Sequence, residues 1–448
     1  MHTHHLQGTD SPKPHGDTAP APGRPRVAFA TFGCRVNQME TDAMCERLGA
    51  TAEIVDERAD IVVISGCTVT SGAERKARQA IGRARRGHPG AVVIVIGCLG
   101  DAIERGLSDP VSADLVAGNA WKRQIALLIA RAVDGRRDPL PCLGDTGPVD
   151  DAATTRRGHV RAFLKVQDGC RHACTFCRTT QVRGPSRSKP VAAAVAEARG
   201  LVDRGFSEIV LVGIDLAGYG HQGDGLAELV AAMGEVPRLE RLRLGSINAD
   251  GLGEEVLDAL AALPMACPHF HLPLQSGDEE VLRRMARPHT VSSYRAAVAA
   301  ARQRFPRSTF GADVIVGFPG EDEEAFRGTL EIVEEVGFVN VHVFRYSPRR
   351  GTPAAEWPRE IPEVVKRQRA QSIERVVAQA RRRELLARVG ETVAVLIERQ
   401  EAGVWRGYTR DYLHARVASC PQLPSGTIVR AAATAVRGGV LEAVYVDE

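Results

Sequence analysis

Six of the ten cysteines in this 448-residue chain stand at spacings that suit metal–sulfur chemistry. Three of them, Cys170, Cys174 and Cys177, form a C-x3-C-x2-C cluster in the stretch FLKVQDGCRHACTFC. This close spacing predicts three thiolate ligands on one loop that follows a strand. Zinc could use the same thiols with His172 as its fourth ligand, so the spacing by itself leaves a zinc site open.

Another cysteine set, nearer the N-terminus, is marked by glycine rather than by close spacing. Chance predicts about one Gly-Cys dipeptide for 10 Cys and 44 Gly in this chain, yet four occur. Three of them end apolar, β-branched runs and supply Cys34, Cys67 and Cys98. Thiols at the carboxyl ends of parallel strands about 4.8 Å apart can converge on a multi-iron cluster. A structural zinc site, which usually has four protein ligands, and three buried thiols without a metal are the alternatives.

The remaining cysteines, Cys45, Cys142, Cys267 and Cys420, occur in neither pattern and are predicted not to be ligands. No apolar run approaches the roughly 18 residues that would cross a bilayer. The N-terminal stretch also lacks the apolar segment of a secretory signal. Ten cysteines without such a signal predict a protein of the reducing cytoplasm with no membrane partner.

The N-terminal third has the pattern of a parallel α/β domain. Strand-like runs at 27–32, 61–65 and 91–96 alternate with helical patterns, which is typical of βαβ units. We therefore predict an α/β domain over 25–133. A disordered tail over 1–24 precedes it, and a Pro/Gly/Asp-rich linker over 134–158 follows it.

The central region, 159–388, is predicted to be a partial (β/α)6 barrel. Its strand-like runs are the cysteine strand, 208–215, 241–247, 269–275, 310–318 and 342–347. Asp215, Ser246, Asn248 and Gln275 stand at strand ends, where they would face the carboxyl mouth of such a barrel. Each is either a cofactor contact or an ordinary polar loop residue.

Five short strand-like runs over 389–448 predict a small C-terminal β-barrel of the oligonucleotide-binding style. Six arginines and seven acidic residues give this segment a net charge of −1, so charge does not argue for RNA binding here. Trp405, Tyr408 and Tyr412 either stack on bases or pack in a core.

Basic residues are concentrated elsewhere, although the whole chain carries a formal charge of only +3. One stretch lies between Ser71 and His88, and a second runs from Lys366 to Arg388. Such stretches suit a phosphate backbone, but solvated arginine-rich helix faces have the same composition.

These features resemble one known family over about 26–446, namely the radical S-adenosylmethionine methylthiotransferases. The matching stretches are TFGCRVNQMETD, SGCTVTSGAERKARQAI, VIGC, KVQDGCRHACTFC, VRGPSRS, LVGIDLAGYG, HLPLQSGDEEVLRRMARPHT, GADVIVGFPGE and HVFRYSPRRGTPAA. GCRVNQ and GCTVT favour the branch that converts N6-threonylcarbamoyladenosine at position 37 of tRNA to its 2-methylthio form. Arg178, Thr179 and Thr180 depart from the family, which commonly has Ile-Pro soon after the third cysteine.

The resemblance implies an enzyme with two [4Fe-4S] clusters and S-adenosylmethionine. Cys170, Cys174 and Cys177 would hold the cluster whose open iron takes the cofactor, and reduction would cleave the cofactor to methionine and a 5′-deoxyadenosyl radical. The second cluster, on Cys34, Cys67 and Cys98, would carry the sulfur that a second S-adenosylmethionine methylates. Asp215, Ser246, Asn248 and Gln275 would contact the cofactor.

The same resemblance makes the small barrel a TRAM module that binds tRNA. It also implies an electron donor such as flavodoxin or ferredoxin, and a sulfur source. Two other functions stay open from the sequence. One is the same chemistry on isopentenyladenosine in tRNA or on an aspartate of a ribosomal protein, and the other is a non-catalytic iron-sulfur protein that binds RNA.

Overall fold

The computed structural model describes residues 23–141, 143, 149, 159–358 and 360–447 of the chain. Most of the predicted tail and much of the predicted linker lie outside these residues, as does Cys142. Within the described ranges, no helix has the length and apolar character needed to span a membrane. The mixed α/β architecture with a closed C-terminal barrel confirms the predicted fold class.

The N-terminal domain is a five-stranded parallel sheet in the order β2-β1-β3-β4-β5, with helices on both faces. The α1 and α4 side chains form one core on the sheet, and those of α2 and α3 form the other. Its elements are β1 (Arg26–Thr31), α1 (Arg35–Leu48), β2 (Glu53–Ile54), β3 (Ile61–Ser65), α2 (Ser71–Gly87), β4 (Val92–Ile96), α3 (Cys98–Glu104), β5 (Leu115–Ala117), a 3-10 helix (Asn119–Gln124) and α4 (Ile125–Val133). In this strand order ligands bind where the connections diverge, at the carboxyl ends of β1 and β3.

The central domain contains six parallel strands that form the predicted partial barrel. Two three-stranded sheets, β12-β9-β6 and β13-β14-β15, are joined by isolated bridges such as that between Ser246 and His271. The barrel elements are β6 (Ala162–Lys165), α6 (Val191–Asp203), β9 (Glu208–Val212), α7 (Leu226–Met233), β12 (Arg241–Leu244), α8 (Glu254–Ala261), β13 (His269–His271), α9 (Glu279–Arg284), α10 (Val291–Arg304), β14 (Thr309–Val316), α11 (Glu323–Val336) and β15 (Asn340–Arg345).

Short elements decorate the mouth of the barrel, and a long helix leads out of it. The short elements are β7 (Gln167–Asp168), α5 (Thr179–Arg183), β8 (Arg187–Ser188), β10 (Gly220–His221), β11 (Asp224–Gly225) and 3-10 helices at Leu216–Gly218, Ala249–Gly251 and Pro353–Glu356. The long helix is α12 (Glu363–Leu386). Ile373 and Val377 of α12 belong to the barrel core, whereas Leu385 belongs to the core of the next domain.

The C-terminal domain is a closed five-stranded barrel in the order β16-β17-β18-β20-β19. Its strands are β16 (Thr392–Glu401), β17 (Val404–Thr409), β18 (His414–Ala418), β19 (Ile428–Arg437) and β20 (Val440–Tyr445). Alternating residues such as Val395, Ile397 and Ala415 fill its interior. This arrangement confirms the small barrel predicted from the five strand-like runs.

The turn between β17 and β18 closes the amino end of the central barrel. Tyr412, with φ +66°, stacks on His269 with ring centroids 4.8 Å apart, and the Arg243 guanidinium lies 4.8 Å from the Tyr412 ring centroid. Arg241 donates to the carbonyl of Tyr408, and Arg243 donates to the carbonyl of Arg410. The C-terminal barrel is therefore docked through buried cation–aromatic and hydrogen-bond contacts.

Buried charges join the N-terminal domain to the central barrel. Glu40 of α1 accepts hydrogen bonds from Lys165 (2.6 Å), from Arg183 (2.7 and 3.0 Å) and from Lys122. Asp168 pairs with Lys165 and Arg183 in turn. All five side chains are almost fully buried. Burial alone would raise the pKa of Glu40, but Arg183, Lys122 and Lys165 hold it well below its usual range.

We expect Glu40→Gln to destabilise the chain by about 3–5 kcal/mol near neutral pH, because it leaves buried cations without their shared counter-charge. The measurement is the urea dependence of unfolding. The pKa of Glu40 is lower in the folded chain than in the unfolded chain, where it is about 4.3. The stabilisation by Glu40 is therefore present above about pH 4.3 and is lost as the pH falls from there toward the folded-state pKa.

Glu46→Gln is the matched control, because Glu46 lies on the same helix, is 56% exposed and stands 3.7 Å from Arg204. Its change should stay below about 1 kcal/mol. Equal effects of the two substitutions would show that the buried network does not stabilise the domain contact.

Candidate metal-cluster site

The first cysteine set lies at the carboxyl edge of the N-terminal sheet. Cys34 caps the start of α1, Cys98 is the first residue of α3, and Cys67 lies between β3 and α2. Helix amino ends carry partial positive charge, which favours thiolate over thiol. The chain thus brings the three thiols to one edge of the sheet, as the Gly-Cys pattern predicted.

Close packing of the strand ends explains the glycine before Cys34. A Cβ on Gly33 would lie 2.2 Å from the Cβ of Cys67 and 2.7 Å from its Sγ, and Gly33 has φ +117°. Any larger residue would therefore push the Cys67 thiol aside. Cys67 and Cys98 are buried, whereas Cys34 reaches solvent.

Two of these thiols accept hydrogen bonds, whereas burial opposes the ionisation of Cys67. The backbone N–H of Val69 donates to Cys67 Sγ at 3.4 Å, and the Asn119 amide donates to Cys98 Sγ at 3.6 Å. Burial and the neighbouring Cys34 and Cys98 raise the pKa of Cys67 to about 12. A bound metal would remove this proton, since metal ligation deprotonates thiols outright.

The buried network next to this set places cations close to its thiols. Burial raises the pKa of Cys34, and the nearby Arg183 guanidinium opposes this shift. A Cβ on Gly97, the residue before Cys98, would lie 3.0 Å from Lys122 Nζ. Cations in this position suit an anionic cluster held by three thiolates, so the residues fit such a group.

The second cysteine set occupies the loop after β7. The N–H of His172 donates to Cys170 Sγ, and the N–H of Thr179 donates to Cys177 Sγ, each at 3.4 Å. Arg287 donates to Cys174 Sγ at 3.4 Å. Hydrogen bonds of this kind stabilise sulfur ligands of iron clusters and tune their potential.

A close approach holds this loop in place and accounts for its own Gly-Cys pair. A Cβ on Gly169, which has φ +71°, would lie 1.9 Å from the carbonyl oxygen of Pro185. Burial is the main cause that raises the pKa of Cys170 to about 12, with a smaller contribution from Asp215. Cys170, Cys174 and Cys177 are all partly exposed to the mouth.

The sulfur spacing disfavours the zinc alternatives. Within the described part of the chain, the only three ligand atoms that lie within 4.8 Å of one another belong to His271, Asp313 and His342. Each cysteine set therefore has at least one sulfur–sulfur distance above 4.8 Å. Two sulfurs bound to one zinc at about 2.3 Å are at most about 4.6 Å apart. A larger cluster fits the observed spread better than a single zinc ion.

Of the four strand-end polar residues, Asp215 contacts the second cysteine set directly, and Asn248 is linked to it through Asp215 and Arg287. Asp215 Oδ2 lies 3.7 Å from Cys170 Sγ and 3.4 Å from His172 Nε2. The Asn248 amide donates to Asp215 Oδ1 at 3.4 Å, and Arg287 donates to Asn248. A hydrogen-bonded chain thus runs from Cys170 to Cys174 across the mouth.

The other two, Ser246 and Gln275, lie past the carboxyl ends of β12 and β13 without touching the cysteines. Ser246 is exposed. Gln275 adopts φ +66°, and its side-chain amide makes no hydrogen bond within the described residues. A non-glycine residue with positive φ at a barrel mouth is typical of a functional position.

The short helix α5 connects the two cysteine sets physically. It begins two residues after Cys177, and its Val182 packs against Cys98. The Asn119 side chain, which contacts Cys98 Sγ, also donates to the Val182 carbonyl at 3.0 Å. The two cysteine loops are therefore linked through one short helix.

Sequence patterns missed a polar cluster inside the barrel. His271 Nε2 and His342 Nδ1 lie 3.2 and 3.0 Å from Asp313 Oδ1. Burial raises the pKa of Asp313, but the two histidines outweigh it and hold the pKa well below normal. Because strand residues alternate between two faces, the odd positions of the 310–318 run could have indicated this inward-facing set.

The aromatic residues proposed as base-stacking candidates are occupied by protein contacts. Trp405 is buried in the small barrel. Tyr408 stacks on Tyr412 at 4.8 Å and lies under the Arg161 guanidinium. Core and interface packing therefore accounts for all three rings.

Comparisons with known proteins agree with this architecture. Residues 164–333 match the model of the radical SAM superfamily, and residues 26–118 match that of uncharacterized protein family UPF0004. Threonylcarbamoyladenosine tRNA methylthiotransferase MtaB of Chlamydia pneumoniae is 35% identical over 383 residues, which are 84% of this chain and 88% of that protein. The protein of the same name from Rickettsia prowazekii is 32% identical and covers 94% of this chain and 98% of its own length.

A solved structure supports the fold alone. The radical S-adenosylmethionine methyltransferase TsrM from Kitasatospora setae superposes with a TM-score of 0.57 at 15% sequence identity. The match covers 74% of this chain and 75% of TsrM.

Iron loading should be insensitive to the cysteines outside the two sets. Cys45 lies within α1, Cys267 is buried between β12 and β13, and Cys420 packs on the small barrel. We expect Ala at each of these positions, and at Cys142, to leave the iron content of the reconstituted chain unchanged. Cys174→Ala should lower it in the same assay. Loss of iron from any of the first four variants would refute the division into two sets of three.

Proposed function

Because the chain belongs to the radical SAM superfamily and, within it, to the MtaB-like methylthiotransferases, we propose that it methylthiolates C2 of N6-threonylcarbamoyladenosine at position 37 of tRNA. The substrate is that of the relatives from Chlamydia pneumoniae and Rickettsia prowazekii, whose sequences match most of the chain. GCRVNQ and GCTVT in this sequence point to the same branch.

The reaction needs chemistry that amino-acid side chains lack. Adenine C2 has no leaving group and no acidic proton, so acid, base or nucleophilic residues cannot functionalise it. A [4Fe-4S] cluster with S-adenosylmethionine, the cofactors that the superfamily fold implies, supplies a reactive carbon radical when reduced. The protein then has to bind, orient and shield the reactants.

One observation carries the proposal: two separate three-thiol sites lie on opposite ends of α5. A three-thiol site leaves one metal position open to another molecule. Two such sites in contact through Val182 and Cys98 suit a reaction that needs a radical and a sulfur donor together. A non-catalytic iron-sulfur protein would need neither open position.

We assign the six cysteines as ligands of two [4Fe-4S] clusters. Cys170, Cys174 and Cys177 hold the cluster that binds S-adenosylmethionine, and Cys34, Cys67 and Cys98 hold the one that carries sulfur. The backbone N–H groups of Val69, His172 and Thr179 orient their sulfur atoms.

We assign Asp215, Ser246, Asn248 and Gln275 as contacts of S-adenosylmethionine. Asp215 is the strongest candidate, since its buried carboxylate lies beside Cys170 and suits the cofactor's ammonium group. Asn248, held by Arg287, stands next to it. Gln275 lies past the carboxyl end of β13, at the same mouth.

The proposed partners follow from the proposed reaction. The substrate is tRNA, and we infer that the C-terminal barrel takes part in holding it. A reductant such as flavodoxin or ferredoxin supplies electrons, and a separate source replenishes sulfur.

Anaerobic reconstitution should load about eight irons per chain, as two four-iron clusters. Replacing Cys170, Cys174 and Cys177 together by Ala should remove about half of this iron, because the other three thiols lie on a different domain. Iron and sulfide analysis of the purified chain measures this. Retention of all the iron would exclude these cysteines as ligands.

The Cys34/Cys67/Cys98 triple Ala variant should separate the two halves of the reaction. With reductant and S-adenosylmethionine it should still form 5′-deoxyadenosine, since the mouth of the barrel is intact. It should form no 2-methylthio nucleoside, because the sulfur has no carrier. Mass spectrometry of both products in one reaction gives the result.

Three controls make that assay decisive. The wild-type chain must form both products on tRNA that carries threonylcarbamoyladenosine. Isopentenyladenosine tRNA and the ribosomal-protein substrate, offered in parallel, test the alternative targets. Formation of the modified nucleoside by the triple variant would disprove the sulfur-carrying role.

A further inference from the structure

An arginine-lined cleft opens where the N-terminal domain meets the central barrel. It has a volume of about 320 Å³ and lies between the first turn of α2, the Leu107–Asp109 segment and the loop that follows β15. Its arginines are Arg75, Arg78, Arg178, Arg349 and Arg350, and its carboxylates are Glu74 and Asp109. Five cations against two carboxylates leave three positive charges in excess.

Glu74 cannot satisfy the arginines that surround it. It accepts from Arg78 at 3.2 Å, and it also accepts from Arg349 and Ser108. Arg178 Nη1 is 3.8 Å from Glu74, beyond hydrogen-bond distance. A single carboxylate is thus divided among three guanidinium groups.

Two buried N–H groups of the cleft lack a partner. Arg178 is 4% exposed and Arg349 is 7% exposed, so both are more than nine-tenths buried. Arg178 Nη1 and Arg349 Nε make no hydrogen bond in the described residues. Leaving a buried charged donor unpaired is costly, and an anion in the cleft would supply the acceptors.

The electrostatics of the cleft agree with this shortage of acceptors. Arg178 Nε donates to the Arg350 carbonyl at 2.8 Å, and the Glu74 carboxylate is 3.8 Å from Arg178 Nη1. Arg75 is exposed at the rim of the cleft and forms no ion pair with any residue that the structure describes. Arg350 pairs with Asp109 at 3.0 Å, but both side chains are largely exposed, so that pair is readily exchanged.

The buried and half-buried cations of the second basic stretch are engaged by protein groups. Lys366, Arg369 and Arg388 are buried and bind Glu360, Glu321 and Asp411, respectively. Arg381 donates to the carbonyl of Val339. These side chains hold α12 in place instead of presenting free charge.

The cleft is adjacent to both cysteine sets along the chain. Ser71, at its edge, stands four residues after Cys67, and Arg178 directly follows Cys177. A hydrogen bond of 2.9 Å between Ser347 and Ser71 closes the contact between the two domains here. A molecule bound in this cleft would lie next to both loops.

We propose that this cleft binds an oxyanion of the RNA substrate, either a backbone phosphate beside the target nucleotide or the carboxylate of the threonylcarbamoyl group. Guanidinium forks bind both groups with paired hydrogen bonds, whereas a lysine cluster would provide only point charges. The inference rests on the proposed function, since it requires RNA to be the substrate.

The test uses the full chain with reconstituted clusters and two synthetic anticodon stem-loop RNAs. One RNA carries N6-threonylcarbamoyladenosine at position 37, and the other carries adenosine there. The double variant Arg75→Gln/Arg350→Gln removes the two exposed cations and spares the buried contacts. Arg238→Gln is the control, because Arg238 is 71% exposed and lies before β12, near the amino end of the barrel.

We expect the double variant to bind the modified RNA about tenfold more weakly than the wild type, and the control to bind as the wild type does. Equal loss on both RNAs identifies a phosphate, and loss on the modified RNA alone identifies the carboxylate. Formation of 5′-deoxyadenosine without RNA should be the same in all three proteins, which verifies folding and cluster loading.

Unchanged affinity of the double variant for both RNAs would overturn the inference while leaving the proposed function intact. Failure of the wild-type chain to bind either RNA would instead contradict the proposed function and the inference together. The two failures are therefore distinguishable in one experiment.

Discussion

The structure depends on one carboxylate, that of Glu40, buried where two domains meet. Three buried cations from two domains converge on it, and it is the carboxylate that all three share. Charges in such a position are tolerated only in one geometry, because every hydrogen bond must be made. The network therefore specifies how the N-terminal sheet sits on the barrel, and with it where Cys98 meets Val182.

The same boundary explains the charge distribution of the molecule. Its interior places the Arg183 guanidinium near the thiols of the N-terminal domain, and its outer cleft has three positive charges in excess next to the loop of Cys177. The inner cation suits an anionic cluster, and the outer excess suits an anionic ligand. A chain with a net charge of only +3 can thus carry strong local fields where its chemistry requires them.

Sequence patterns were sufficient for features that are local. The run 61–65 was predicted as a strand and is β3 with the same bounds, because its residues are all apolar or small and buried on both faces. The Gly-Cys pairs predicted strand ends, since tight packing there excludes a Cβ, as at Gly33. The domain boundaries and the roles of the site residues remain predictions.

Long-range partners could not be predicted in this way. Glu40 and Arg183 are 143 residues apart, and nothing near either residue indicates the other. The sequence around Tyr412 does not indicate whether its ring stacks on a base or on His269, as it does in the structure. Its partner is decided by how two domains dock, which local patterns do not encode.

The docking of Tyr412 also limits how far the chain is modular. Without the C-terminal barrel, Arg241 and Arg243 would lose their carbonyl acceptors in that domain. The amino end of the central barrel would then be open to water. The C-terminal domain is thus a separate barrel that also covers the amino end of the central, catalytic domain. Gene truncations and domain exchanges at this junction would damage the enzyme's core, so their phenotypes cannot be equated with loss of RNA affinity.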